Sequence, residues 1–147
     1  MKKKYRQFGL TVLFLGYIAL MIWLLFGQRS QGESGAENLN IVPFTTLKLY
    51  MNLLKNSTNH YLVRHAFINL VGNVVMFIPL GYLLPGVYKR AQSFFAMLLY
   101  TVVVIVLIET VQYITGLGSC DIDDLILNVP GVMIGWCIRR IGISKRK

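Results

Sequence analysis

The sequence predicts an all-α fold: a polytopic membrane protein with a four-helix transmembrane bundle and a short external amphipathic segment. Three observations carry this expectation. Apolar residues make up 55 % of the 147 positions and charged residues 14 %, well under the roughly 25 % of an ordinary soluble domain. Four apolar runs approach the ~20 residues needed to cross a bilayer. The formal net charge of +9 comes from basic residues gathered beside those runs and forming no stripe through a folded domain. That distribution speaks for membrane topology and against a nucleic-acid partner.

The first span covers residues 8–26. The basic start KKKYR resembles a secretory leader, but the apolar core is longer than the usual ~7–15 residues and FGQRS has no small-x-small cleavage site, so an uncleaved anchor is expected. The external segment, 27–64, has two parts. GQRSQGESGAENLN is polar and Gly/Ser-rich and reads as a flexible linker. In IVPFTTLKLYMNLLKN, Leu47, Met51 and Leu54 share a face at helical spacing, as an interfacial helix requires, and Asn56-Ser57-Thr58-Asn59 ends it. The sequon at Asn56 is a chance match until the host is known. The remaining spans are 65–84, 93–113 and 125–141. Pro79 and Pro130 free the carbonyls of Val75 and Ile126, and Gly131 and Gly135 form a GxxxG contact face. Residues 1–147 read as a single domain.

Lys2, Lys3, Lys4, Arg6, Lys89, Arg90, Arg139, Arg140, Lys145, Arg146 and Lys147 lie on one side of this arrangement, and only Arg29, Lys48, Lys55 and Arg64 on the other. The positive-inside rule then places both termini in the cytoplasm. The expected location is a membrane crossed several times.

Polar residues collect at one depth. Asn69 and Asn73 lie ~6 and ~12 Å below the outer surface at 1.5 Å per residue and share a face. Glu109 and Gln112 share a face near the outer end of the third span. Asp121, Asp124 and Asn128 form a stripe if the fourth helix starts early enough, with Asp123 about 100° away. Ionisable groups here mark a candidate site, and buried amides and carboxylates need partners because hydrocarbon supplies none. The expected arrangement turns Asn69, Asn73, Glu109, Gln112, Asp121, Asp123, Asp124 and Asn128 around an outward-opening polar pocket. The bland alternatives are interhelical amide contacts for the Asn pair, a protonated or paired Glu109, and helix capping for an aspartate.

No catalytic residue is identifiable. Glu109, Asp121 and Asp124 are metal candidates for a divalent cation such as Mg²⁺, which prefers oxygen ligands. His60 and His65 are the only imidazoles, and neither forms a nucleophile–base pair. Cys120 and Cys137 lie ~20 Å or more apart along a helix, beyond disulfide reach, and read as structural.

NLVGNVVMFIPLGYLLP (69–85), E-x-x-Q at Glu109 and Gln112, and DIDDLILN followed by Gly131 together resemble the VanZ-like family. The upstream Asn40-Ile41-Val42-Pro43-Phe44 is similar to that family's Asn/Pro-Phe element. The resemblance covers roughly residues 38–136. It implies a small multi-helix bacterial membrane protein associated with low-level resistance to teicoplanin, a lipidated glycopeptide. Many members carry an arginine shortly before the aspartates, whereas Gly116–Cys120 has none. Val129-Pro130 also departs from the family pattern after the asparagine.

Three functions fit. The first is binding of a lipid-linked cell-wall component or a lipoglycopeptide at the outer pocket, under the amphipathic segment. The second is a membrane enzyme acting on a polyprenyl-phosphate-type lipid with a carboxylate-bound cation. The third is a structural partner or ion pathway titrating at Glu109. Besides the bilayer and such a ligand, no partner or oligomeric state is specified.

Overall fold

The computed structural model describes residues 2–27, 39–117 and 120–144. The glycine- and serine-rich stretch expected as a linker lies almost wholly outside these residues, as do Lys145, Arg146 and Lys147. Five α-helices follow in order: α1 (Lys2–Phe26), α2 (Thr45–Asn56), α3 (His60–Val87), α4 (Phe94–Thr115) and α5 (Ile122–Ser144). Four of them, α1, α3, α4 and α5, are long and apolar enough to cross a membrane. Each expected span falls within one of these helices, to within a residue. The α3 helix runs on through Pro85 to Val87, because a proline removes only the hydrogen bond to one preceding carbonyl.

Short elements connect them. Lys89–Gln92 forms a 3-10 turn between α3 and α4. Gly116 ends α4 at φ 66°, with its N–H returning to the carbonyls of the last turn. Such a left-handed cap suits glycine, which lacks a Cβ. Asn59 caps α3 by accepting from the N–H groups of Tyr61 and Leu62, as an N-cap asparagine does. The strands β1 (Leu39–Asn40) and β2 (Cys120–Asp121) pair in parallel, Leu39 with Cys120 and Asn40 with Asp121. That two-residue ladder was not expected from the sequence, and it ties the segment before α2 to the loop before α5.

The helix directions follow from specific contacts. Gln7 Nε2 donates to the Gly86 carbonyl at 3.0 Å and Tyr17 Oη donates to the Met76 carbonyl at 3.0 Å, so α1 runs antiparallel to α3. Phe94 meets Trp136 edge-on at 5.8 Å between ring centroids, and the Asp121 N–H donates to Glu109, so α4 runs antiparallel to α5. The α3 and α5 helices run parallel in near backbone contact. A Cβ on Gly131 would lie 2.1 Å from the Val74 carbonyl oxygen, one on Gly135 1.9 Å from that of Ile78, and one on Gly81 1.8 Å from that of Val132. The Gly131/Gly135 face expected from the sequence is therefore a contact face, and Gly81 answers it from α3. Close approach of this kind is what small residues allow between membrane helices.

Met21, Phe77, Leu80, Ala91, Met97, Ile105 and Val132 form the core. Phe95, Leu107 and Ile114 point outward, as side chains facing lipid must.

Candidate functional site

The acidic and amide residues gather at the end of the bundle opposite the chain termini. Asp121 immediately precedes α5. Its Oδ1 accepts from the Asp123 N–H at 2.8 Å, which is the N-cap geometry in which a side chain satisfies an orphan donor of the first turn. The same carboxylate accepts from Asn40 Nδ2 at 2.9 Å and from Thr46 Oγ1 at 2.5 Å. Asp123 faces α2 instead. It accepts from the N–H groups of Phe44 at 2.5 Å and Leu47 at 3.0 Å, so a carboxylate on α5 caps the start of α2. The positive end of a helix macrodipole favours an anion there. Phe44 adopts φ 67°, uncommon for a bulky residue, and Asp123 holds the N–H of that turn.

Glu109 on α4 accepts from the Asp121 N–H at 3.1 Å. Asn73 on α3 donates to Asp124 at 2.7 Å. Glu109, Asp121, Asp123 and Asn128 are all buried. Buried carboxylates require donors or charge partners. Here the donors to Asp121 and Asp123 are one amide, one hydroxyl and three backbone N–H groups, all neutral. The chain thereby satisfies these two aspartates without the arginine missing from 116–120. Asn128 differs: at 4 % exposure its Oδ1 has no hydrogen-bond partner. Burial first, and then the negative charges of Glu109, Asp121 and Asp124, push the Cys120 thiol above its usual range.

The remaining expected residues point elsewhere. Asn69 donates to the His65 carbonyl on its own helix at 2.9 Å. Gln112 is buried but donates to the Leu25 carbonyl of α1 at 3.2 Å. Asp121 lies one residue before the helix, so it caps the stripe that Asp124 and Asn128 continue. Asn40 and Thr46 were not singled out as site residues. Asn40 stood in the Asn/Pro-Phe element, which was its only signal; Thr46 had none. Among the described residues, no group of three or more His, Cys, Asp and Glu side chains is placed to hold a metal ion. Cys120 and Cys137 are both free.

A family model described as VanZ/LLP1 matches residues 13–142, which take in the core of the bundle and every residue of the cluster. The chain belongs to the VanZ/LLP1 family. Protein VanZ of Enterococcus faecium is 27 % identical over 135 residues, covering 88 % of this chain and 71 % of that protein. No solved structure matches. Membership of VanZ/LLP1 and four helices of membrane length make this a multi-pass membrane protein. For this VanZ/LLP1 chain, the hydrogen bonds above give the aspartate-rich run a structural meaning: it joins α2, α3, α4 and α5 at one end.

Proposed function

We propose that the protein is a resistance-type binding protein of a bacterial plasma membrane. In this reading both termini are cytoplasmic and the acid–amide cluster lies at the outer face. The ligand is a molecule with a hydrogen-bond-rich head on an apolar chain: a lipid-linked cell-wall component, or a lipoglycopeptide such as teicoplanin. The observation that carries this reading is the set of polar side chains inside membrane-length helices near one end. There Asn73 and Asp124 bridge α3 to α5, beside a buried Asn128 with an unpartnered Oδ1. A buried acceptor without a donor costs about 1–3 kcal/mol, so a donor from a ligand head improves it. Through Asp123, the cluster also fixes the amphipathic α2 at the same level. An apolar tail would then lie in the bilayer beside α2 while the head meets the cluster.

Relatedness to Protein VanZ supports the resistance role. The lipid-phosphate enzyme gains no comparable support, because both oxygens of Asp121 and of Asp123 already accept from the chain's own donors.

The test is susceptibility to teicoplanin and vancomycin in cells making Asn73→Ala, Glu109→Gln or Asp124→Asn protein, with membrane levels measured alongside. The expected result is lost protection against teicoplanin at normal expression. Full protection in all three variants would sink the proposal.

A further inference from the structure

The opposite end of the bundle carries an assembled cationic junction. The six acidic residues of the chain are Glu33, Glu37, Glu109, Asp121, Asp123 and Asp124; none belongs to the ends or to the turn between α3 and α4. Lys4, Arg6, Lys89, Arg90, Arg139 and Arg140 therefore concentrate positive charge with no Asp or Glu in the same segments.

Within that charge, one guanidinium is held in a defined place. Arg139 Nη1 donates to the Tyr82 carbonyl at 2.9 Å, and its Cζ lies 5.4 Å from the centroid of the Tyr82 ring. The group rests on Gly86: a Cβ there would come within 2.5 Å of Nη2 and 2.8 Å of Nη1. Nε of Arg139 is buried with no hydrogen-bond partner. Gln7 donates to the Gly86 carbonyl at 3.0 Å, which brings the start of α1, and with it Arg6, to the same point. Arg140 lies over Trp136 at 5.3 Å. A guanidinium fixed at a three-helix junction beside the basic start of α1 matches a phosphate. The location, where apolar helices end in aromatic and basic side chains, is where lipid headgroups lie.

We propose that the Arg6–Arg139 junction on α1, α3 and α5 binds the phosphate of an anionic phospholipid in the leaflet at the termini end of the bundle. The site is independent of the acid–amide cluster, and it needs only that the helices span a bilayer.

The test is thermal unfolding of the full-length protein in neutral detergent, titrated separately with phosphatidylglycerol, phosphatidylcholine and inorganic phosphate. Phosphatidylglycerol raises the Tm, and the other two do not at matched concentration. Arg139→Gln and Arg6→Gln each raise the half-maximal lipid concentration about fivefold, the scale of roughly one lost basic contact. Gly86→Ala keeps every charge but displaces the guanidinium, and it weakens the response in the same direction. Lys48→Gln, on α2 at the far end, leaves it unchanged. If Arg139→Gln does not fold, Gly86→Ala and Arg6→Gln carry the test. Equal stabilisation by phosphatidylcholine, an effect of inorganic phosphate alone, or equal weakening by Lys48→Gln would each overturn the proposal.

Discussion

Asp123 sits at 1 % exposure because α2 supplies two backbone donors that its own sequence leaves uncapped. Asp123→Ala removes both acceptors, and thermal unfolding in detergent should show a loss of about 1–3 kcal/mol. Asn40→Ala and Thr46→Val should cost less, about 1 kcal/mol each, since each removes a single donor to Asp121. A second residue-scale consequence concerns Cys120. Its raised thiol keeps the protonated form at neutral pH, and only the thiolate reacts. Maleimide labelling followed by mass spectrometry should be slow at pH 7 and accelerate as pH rises. Glu109→Gln removes one of the charges that raise this thiol, so labelling of that variant should be faster at a given pH. Unchanged rates would mean that the carboxylate does not act on it.

At the scale of elements, the α3–α5 pair is the most constrained contact. Gly135→Leu must push a side chain through the Ile78 carbonyl and should cost about 3 kcal/mol, the upper part of the overpacking range. At Gly142 an added Cβ would meet nothing within 4 Å, so Gly142→Ala should unfold like the parent protein in the same assay. The Gly131/Gly135 spacing announced this face from sequence. Gly81 did not announce itself, because a lone glycine in an apolar run has no partner at helical spacing to mark it. The cluster was legible to a similar degree. Counting residues along a helix gives an expected depth, and the structure joins Asn73 to Asp124 and Glu109 to the Asp121 backbone. Depth does not give the direction in which a side chain turns, so Asn69 bonding its own helix and Gln112 reaching α1 were not foreseeable. Asn40 stood at the end of the linker stretch and in the Asn/Pro-Phe element, Thr46 in a stretch read for amphipathicity alone, and a two-residue strand has no periodicity to detect.

For the whole molecule, composition and four apolar runs sufficed to specify the bundle, since a backbone in lipid must satisfy itself. Aromatic residues mark both ends: Tyr50 and Tyr61 pack against His65 near the cluster, and Tyr88 meets Tyr100 near the basic end. Such belts sit at membrane–water interfaces. Orientation is testable with an impermeant thiol reagent on intact cells, in a background lacking the native cysteines. Ser57→Cys should label from outside, and Ser144→Cys only after permeabilisation; the reverse pattern would place the acid–amide cluster in the cytoplasm.

The most direct measurement is ligand-induced stabilisation of the purified protein in nanodiscs. Teicoplanin and a lipid-linked cell-wall precursor are added separately, with vancomycin, which lacks the acyl chain, for comparison. At least one of the two lipid-bearing ligands should raise the Tm of the parent protein more than vancomycin does, and Asp124→Asn and Asn128→Ala should abolish that rise while remaining folded. No rise with either ligand, or the same rise in both variants, would contradict binding at the Asn73–Asp124–Asn128 cluster.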